Sequence, residues 1–364
     1  MARVLYGVMG NTHGHVARTL AIVSRLPEHE FFFVGGGRVP ELLGKKFPVL
    51  EVPVKRTIHK NQRVSIPATI GHIVRCITKF PSTRRRIFNL IDEWQPDIAI
   101  CDREIFLPHA ARAAGLECIS LDHSHVLHAC QNPVPRGQRL SWALARLEDA
   151  LFFNFTRHNL IVSFFHPELK DSGKSVNELL PPVLRPEVRQ VHPTNGEHVL
   201  IYQTSPTFGA LLDAARQLKR NIIVYGFRNK QAVEGNITFK PFHPVFILED
   251  LATCAYAVVN GGHNLICEAL ACGKPVLCFP ITGQFEQFLN AWHVREMGYG
   301  DFSTSRQPSA ALFVQFEKRL DEFRQNILAK FVDGTDAVIA RVRELICAQA
   351  ARSQIGSRKA KLRT

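Results

Sequence analysis

The sequence predicts an α/β protein made of two doubly wound domains that face each other across a cleft. Three observations predict it. Short apolar, strand-like runs alternate with helix-periodic segments from end to end, the pattern of parallel sheets covered by helices. A proline-rich stretch, Leu179-Leu180-Pro181-Pro182-Val183-Leu184-Arg185-Pro186, divides the chain, and the alternation restarts after it. Finally, 364 residues suit two domains at roughly 100–200 residues each. A 46% hydrophobic fraction is enough for two cores.

In the first half, Val4–Val8, Glu30–Val34, Val49–Val52, Asp97–Cys101, Cys118–Leu121 and Asn159–Val162 read as buried strands. His15–Leu26, Ile70–Trp94, Ile105–Ala114 and Leu140–Phe155 read as the helices between them. Together they make a first domain over 1–180. Residues 181–190 form a stiff linker, because proline fixes φ and disfavours helix before it. A second domain over 191–336 has strands at His198–Gln203, Asn221–Tyr225, Ile237–Phe239, Tyr256–Val259 and Pro275–Phe279. Its helices are Phe208–Leu218, Val245–Thr253, Asn264–Cys272 and Phe285–Glu296. A last helix at 337–351 returns to brace the first domain, and 352–364 is a basic tail.

The net charge of +13 points to anionic partners. Between Lys55 and Arg86 there are nine Lys or Arg residues and no Asp or Glu, with apolar residues interleaved at helical spacing. Two readings stay open here: a basic amphipathic segment against an anionic membrane surface, or the solvated face of an ordinary helix. A nucleic-acid partner is not expected, since no recognised binding module or aromatic platform is present. No run of about 18 apolar residues occurs, so no membrane span is expected. The N-terminus lacks the regions of a signal peptide, which places the protein in the cytoplasm, peripheral on the membrane's inner face if the basic segment binds there. The nine scattered cysteines form no C-x-x-C pair and read as reduced, mostly buried thiols.

In an open parallel sheet, ligands bind beyond the carboxyl ends of the strands. The first such loop is Gly10-Asn11-Thr12-His13-Gly14-His15. It matches neither a dinucleotide fingerprint nor a phosphate-binding P-loop. His15 is the candidate general base; a helix N-terminus disfavours its protonated form and leaves the ring free to take a proton. A cap or packing role is the alternative. Asp102, after the fourth strand, is the candidate partner that orients the imidazole. Asp122, after the fifth, is the other candidate carboxylate.

In the second half, Gly261-Gly262-His263-Asn264 joins a strand to a helix. Free backbone N–H groups and the helix dipole there can hold a diphosphate. Glu268, inside that helix, can accept from a ribose's vicinal hydroxyls. A second loop and helix carry Gln284, Glu286 and Gln287, which supply acceptors and donors for sugar hydroxyls. Asn290 and Ala291, one turn on, support that helix. Thr204 and Ser205, at the end of the domain's first strand, add donors, as does His263.

The Gly261–Glu268 and Gln284–Ala291 segments resemble the donor-binding signature of GT-B glycosyltransferases, whose fold is two Rossmann-like domains. The signature is similar to that of UDP-glycosyltransferases and of the N-acetylglucosaminyltransferase that builds the peptidoglycan lipid intermediate. The step Gly14-His15 resembles the first loop of the same enzymes. The likeness extends to bacterial and archaeal glycosyltransferase-family proteins and covers nearly the whole chain. It implies that His15 is the base, that Glu268 contacts ribose and that Glu286 and Gln287 contact the sugar of a nucleotide-sugar donor, most simply UDP-linked. Asp102 stands where some plant members have the partner carboxylate. The plant-type tryptophan-rich signature is missing, and His13 and His263 stand where other members differ.

The implied activity is hexosyl or N-acetylhexosaminyl transfer to a lipid, glycan or small-molecule hydroxyl; the acceptor is not legible. No cofactor or metal is expected, since there is no Asp-x-Asp pair and no His/Cys cluster. No glutamates stand eight apart around Glu286, which favours inversion. A nucleotide-sugar hydrolase or epimerase, and a non-catalytic sugar-nucleotide-binding subunit, are the alternatives.

Overall fold

The computed structural model describes residues 1–361 apart from Thr12, Asn61, Asn154, Ser172, Lys174, Ser205 and Lys230, with the backbone alone at Ile66, Ile70 and 353–361. The N-terminal half runs β1 (Arg3–Val8), α1 (His13–Val23), β2 (Glu30–Val34), α2 (Val39–Leu43) and β3 (Val49–Leu50). A small hairpin, β4 (His59–Lys60) and β5 (Arg63–Val64), precedes the long α3 (Ile66–Trp94). Then follow β6 (Ile98–Asp102), α4 (Leu107–Ala114), β7 (Cys118–Asp122), α5 (Val126–Ala129), α6 (Arg139–Phe152), β8 (His158–Val162) and β9 (Val176–Leu180). The seven-stranded sheet has the order β3-β2-β1-β6-β7-β8-β9, and its pairings are parallel. β6 and β7 are buried along their whole length, as central strands of a sheet covered on both faces must be.

The C-terminal half repeats the plan with β10 (Val199–Tyr202), α7 (Gly209–Ala215), β11 (Ile222–Tyr225), β12 (Ala232–Glu234) and β13 (Ile237–Lys240). It continues through α8 (Pro244–Thr253), β14 (Tyr256–Val259), α9 (His263–Ala271), β15 (Val276–Cys278), α10 (Phe285–Glu296) and β16 (Gly300–Phe302). Three helices close the chain: α11 (Ala310–Glu317), α12 (Leu320–Lys330) and α13 (Thr335–Lys361). This sheet has the order β12-β13-β11-β10-β14-β15-β16. Only β12 runs antiparallel within it.

Both sheets carry strands that the sequence pattern hides. β9 is half exposed, and β12 and β16 have three residues each. Edge strands so short or so wet show no apolar run. α3 continues through Pro81, whose missing N–H costs one helical bond without ending the helix. All nine cysteines are free, eight of them buried.

The helices sort onto the faces by their apolar stripes. α1 and α13 share one face of the first sheet, where Val16, Ala21 and Ile22 meet Val338, Val342 and Ile346. α3 and α4 cover the other, with Cys76, Ile87, Leu107 and Ala110. A third core joins the domains: Leu127, Ile161, Phe164 and Phe165 of the first half pack with Leu200, Ile247, Ile266 and Phe285 of the second. The proline stretch and the entry to α13 lie side by side. Leu184 N donates to Thr335 Oγ1 at 2.9 Å, and Gly334 N to Pro182 O at 2.9 Å.

The N-terminus of α4 is capped by a buried carboxylate. Glu104 Oε2 accepts from the N–H groups of Phe106 at 2.9 Å and Leu107 at 2.6 Å. Burial pushes its carboxyl up to about 7, against the pull of those N–H groups. Folding therefore takes up a proton between the ordinary glutamate range and neutrality, and stability falls as pH rises through that window. Glu104→Gln is expected to flatten the slope, seen as urea midpoints of the variant that differ less than the parent's between about pH 5 and about pH 8.

Candidate active site

The first wall of the cleft is built at the ends of β1 and β6. Val8 and Asp102 are register partners, and Met9 N donates to Asp102 O at 2.9 Å. α1 starts just beyond, so its first turn hangs over the end of β6. His15 Nδ1 lies 2.8 Å from Asp102 Oδ1. Asp102 is fully buried. Burial alone raises its carboxyl, but the Arg18 charge and the hydrogen bonds from Arg18 and His15 outweigh that and hold it below the usual aspartate range. An ionised carboxylate only accepts, so Nδ1 carries a proton, and in the neutral ring Nε2 is the nitrogen with the lone pair.

Arg18 completes this wall. It donates from Nε to Asp102 Oδ2 at 3.0 Å and from Nη2 to Oδ1 at 2.7 Å and Oδ2 at 2.8 Å. Its Nη2 approaches His15 Nδ1 to 3.1 Å, so two donors converge on Oδ1. Sequence reading passed over Arg18. The available signal was its spacing: i+3 from His15 places both on one helix face. Asp122 belongs to a different network. It accepts from His125 N at 2.9 Å and from Ser120 Oγ at 2.8 Å, and lies 2.7 Å from His125 Nδ1. The structure thus assigns Asp102, and not Asp122, to His15.

The opposite wall is the turn from β14 to α9. Gly261 has φ +96°, a left-handed conformation, and a Cβ there would stand 2.6 Å from Gln287 O. Both conditions require glycine. Gly262 follows as the residue before α9, and the first-turn N–H groups of α9 face the cleft end of the helix. Asn264 reaches the first wall. Arg18 Nη1 donates to its Oδ1 at 3.3 Å. A Cβ on Gly14 would stand 2.2 Å from Asn264 Nδ2, so a larger residue there would push the Asn264 side chain aside.

His263 lies elsewhere than its sequence role anticipates. Its ring is buried and stacked on His123, with centroids 3.9 Å apart. Nδ1 is 3.2 Å from Asn264 Oδ1 and Nε2 3.4 Å from Cys267 Sγ. Burial, then the neighbouring His123, pushes its pKa far down. The ring therefore packs, and its backbone N–H is the group left at the helix start.

Asn260, one residue ahead of the turn, accepts from Thr204 N at 2.8 Å and Thr204 Oγ1 at 3.2 Å. Thr204 is thereby fixed beside the glycine pair. Ser205 lies outside the described residues.

Glu268 projects from α9 toward the linker. Arg185 donates to it twice, at 2.8 Å to Oε1 and 3.0 Å to Oε2, and to Pro244 O at 2.7 Å. Burial raises the Glu268 carboxyl, and Arg185 works against that. A carboxylate has about four lone-pair sites, so room for further donors remains. Arg185 was not foreseen, though a lone cation in an apolar proline stretch is a visible signal. Near it, Phe242 is exposed after β13, 6.0 Å from the His13 ring and 5.9 Å from Tyr202.

The α10 residues are tied both across the cleft and within their own domain. Ser124 Oγ donates to Glu286 Oε2 at 2.5 Å. Gln287 Oε1 accepts from Ile281 N at 3.0 Å. Asn290 donates to Gly261 O at 3.0 Å, and its Oδ1 lies 2.7 Å from His123 Nε2. Gln284 contacts His59 of the β4–β5 hairpin. That hairpin lies against the second domain: Val64 N donates to Thr282 O at 3.0 Å, and Thr282 N to Gln62 O at 3.0 Å.

Two doubly wound domains, a His–Asp pair on one and a Gly-Gly helix start facing it on the other, define a GT-B glycosyltransferase. Residues 2–321 match the family model Glycosyl transferase family 1, and the chain belongs to that family. An uncharacterized glycosyltransferase of Methanosarcina acetivorans is 24% identical over 391 residues, covering 92% of this chain and 94% of the relative. A UDP-glucose: anthocyanidin 3-O-glucosyltransferase in complex with UDP shares the fold at a TM-score of 0.68 and 12% identity, covering 95% of this chain and 99% of that one. MurG of Acinetobacter baumannii does so at 0.58 and 13%, covering 94% and 100%. Among the described residues no group of three or more His, Cys, Asp or Glu could hold a metal ion. None of the helices there is long and apolar enough to cross a membrane.

Proposed function

We propose that this glycosyltransferase moves a sugar from a nucleotide-linked donor, a UDP-sugar, to an acceptor hydroxyl by one inverting displacement without a metal. The observation that carries the proposal is the closeness of the two walls. Gly14 and Arg18, flanking His15, both touch Asn264 at the glycine-pair turn.

His15 Nε2 takes the acceptor's hydroxyl proton. The acceptor oxygen forms a bond to the anomeric carbon from the face opposite the leaving group. The bond from that carbon to the diphosphate oxygen breaks, and its electron pair leaves with the nucleotide diphosphate. Negative charge grows on the leaving phosphate, where the first-turn N–H groups of α9 and the helix dipole stabilise it. Glu268 accepts from the ribose hydroxyls beside Arg185. Phe242, with an exposed ring at the same end, offers a face for the base. Glu286 and Gln287 bind the sugar, which requires Glu286 to exchange its Ser124 partner for a sugar hydroxyl.

Radiolabelled UDP-hexoses and UDP-N-acetylhexosamines, incubated with and without an extract of lipids and glycans, test the reading. Labelled acceptor with inverted anomeric configuration, formed equally in EDTA, supports it. Free sugar released without acceptor would make the protein a hydrolase. Glu268→Ala is expected to weaken UDP binding by about 1.5–3 kcal/mol, the worth of hydrogen bonds to a charged group. An unchanged dissociation constant by calorimetry would confine Glu268 to its bond with Arg185.

A further inference from the structure

Helix α6 (Arg139–Phe152) has an inner and an outer face of opposite logic. On the inner face Trp142 and Ala145 join the interdomain core, and the helix lies against α10. Asp149, buried there, accepts from Arg103 Nη1 at 2.6 Å. On the outer face Leu140 is 73% exposed, Leu144 50%, Leu147 55% and Leu151 54%. At 100° per residue these four side chains fall within an arc of about 60°. Ala143 and Ala150 are exposed beside them. A helix packed on a water-soluble protein normally puts polar residues on that face, and a contiguous apolar strip in solvent marks an interaction surface.

The rim of the strip is cationic. Arg136 and Arg139 stand exposed at its start. Arg146 lies over the Trp142 ring, 5.6 Å from its centroid, close enough to Lys170 for their charges to repel. On the other edge Glu148 pairs with Lys55. The next residue, Arg56, lines a cavity of about 710 Å³ with Arg75, Lys79 and Arg86 of α3, where Glu51 is the sole carboxylate. Among the described residues none of these four cations is in a salt bridge, and Val74 and Ile77 stand exposed between them.

We propose that the α6 face docks on an anionic phospholipid surface. The leucine strip sinks into the boundary between headgroups and acyl chains, and the flanking cations meet lipid phosphates. Charge decides against a second copy of the chain as the occupant. At +13, two copies joined through these rims would bring like charges together. An anionic bilayer supplies the opposite charge. The docking goes beyond the sugar-transfer reading and stands whether or not that reading holds.

The test is flotation of the full chain with phosphatidylcholine vesicles, with and without phosphatidylglycerol. The parent is expected to float with the anionic vesicles and to lose that binding as salt rises. Leu144→Gln with Leu147→Gln changes only exposed positions, so the fold, checked by circular dichroism, is retained. That variant is expected to bind anionic vesicles at least roughly tenfold more weakly, as the loss of two buried leucines dictates. Equal binding by parent and variant overturns the proposal, as does a parent that binds neither vesicle. So does a parent dimer in sedimentation equilibrium that the two substitutions dissolve. Transfer to a soluble acceptor should be the same in parent and variant, which separates failure of docking from failure of the catalytic reading.

Discussion

His15→Ala is expected to lower turnover by roughly 10²–10⁴-fold, the usual worth of a positioned general base, while UDP binding stays nearly unchanged. The asymmetry follows from where the residue stands. Its ring belongs to the first domain and bonds to Asp102 of the same domain. The groups assigned to the nucleotide, from the glycine pair to Glu268, belong to the second. On the proposed mechanism, removing the imidazole takes away the lone pair assigned to the acceptor's proton and leaves the α9 helix start intact. Single-turnover kinetics with calorimetry on UDP separates the two quantities. Equal loss of both would mean that His15 holds the walls together and is not the base.

Asp102→Ala is expected to damage both activity and stability. The carboxylate is fully buried and takes three hydrogen bonds from Arg18, itself buried. Deleting it strands a guanidinium without a counter-charge, which costs about 3–5 kcal/mol. It also frees the imidazole to take the wrong tautomer. Urea unfolding measures the first effect and kcat the second. Adding Arg18→Met should restore much of the stability, because no unpaired charge then remains. Activity should stay low, because nothing orients His15. A double variant as active as the parent would remove Asp102 from the mechanism.

Much of the architecture is legible in the chain because parallel strands buried on both faces must be apolar throughout. β1, β6, β7, β14 and β15 all stand where their runs place them. β9, β12 and β16 escape notice for the converse reason: edges meet water and carry no distinctive pattern. The same contrast governs the site. His15, the glycine pair and Asp102 are visible as unusual residues at strand ends. Arg18 and Arg185 look like ordinary surface cations until the fold buries each against a carboxylate. His263 looks like a ligand, but stacking on His123 turns its ring into packing material.

Local composition, then, was enough to establish two doubly wound halves, their loops of interest and the residue types able to move a proton or cradle a diphosphate. Those features follow from period, glycine placement and the ends of apolar runs, all readable over a few residues. The pairing of His15 with Asp102 over Asp122, the contact of Gly14 with Asn264 and the union of Glu268 with Arg185 join residues dozens to hundreds of positions apart. Only packing of the completed chain selects among such distant partners, because burial energy and charge neutralisation act between neighbours in space, whatever their separation in sequence.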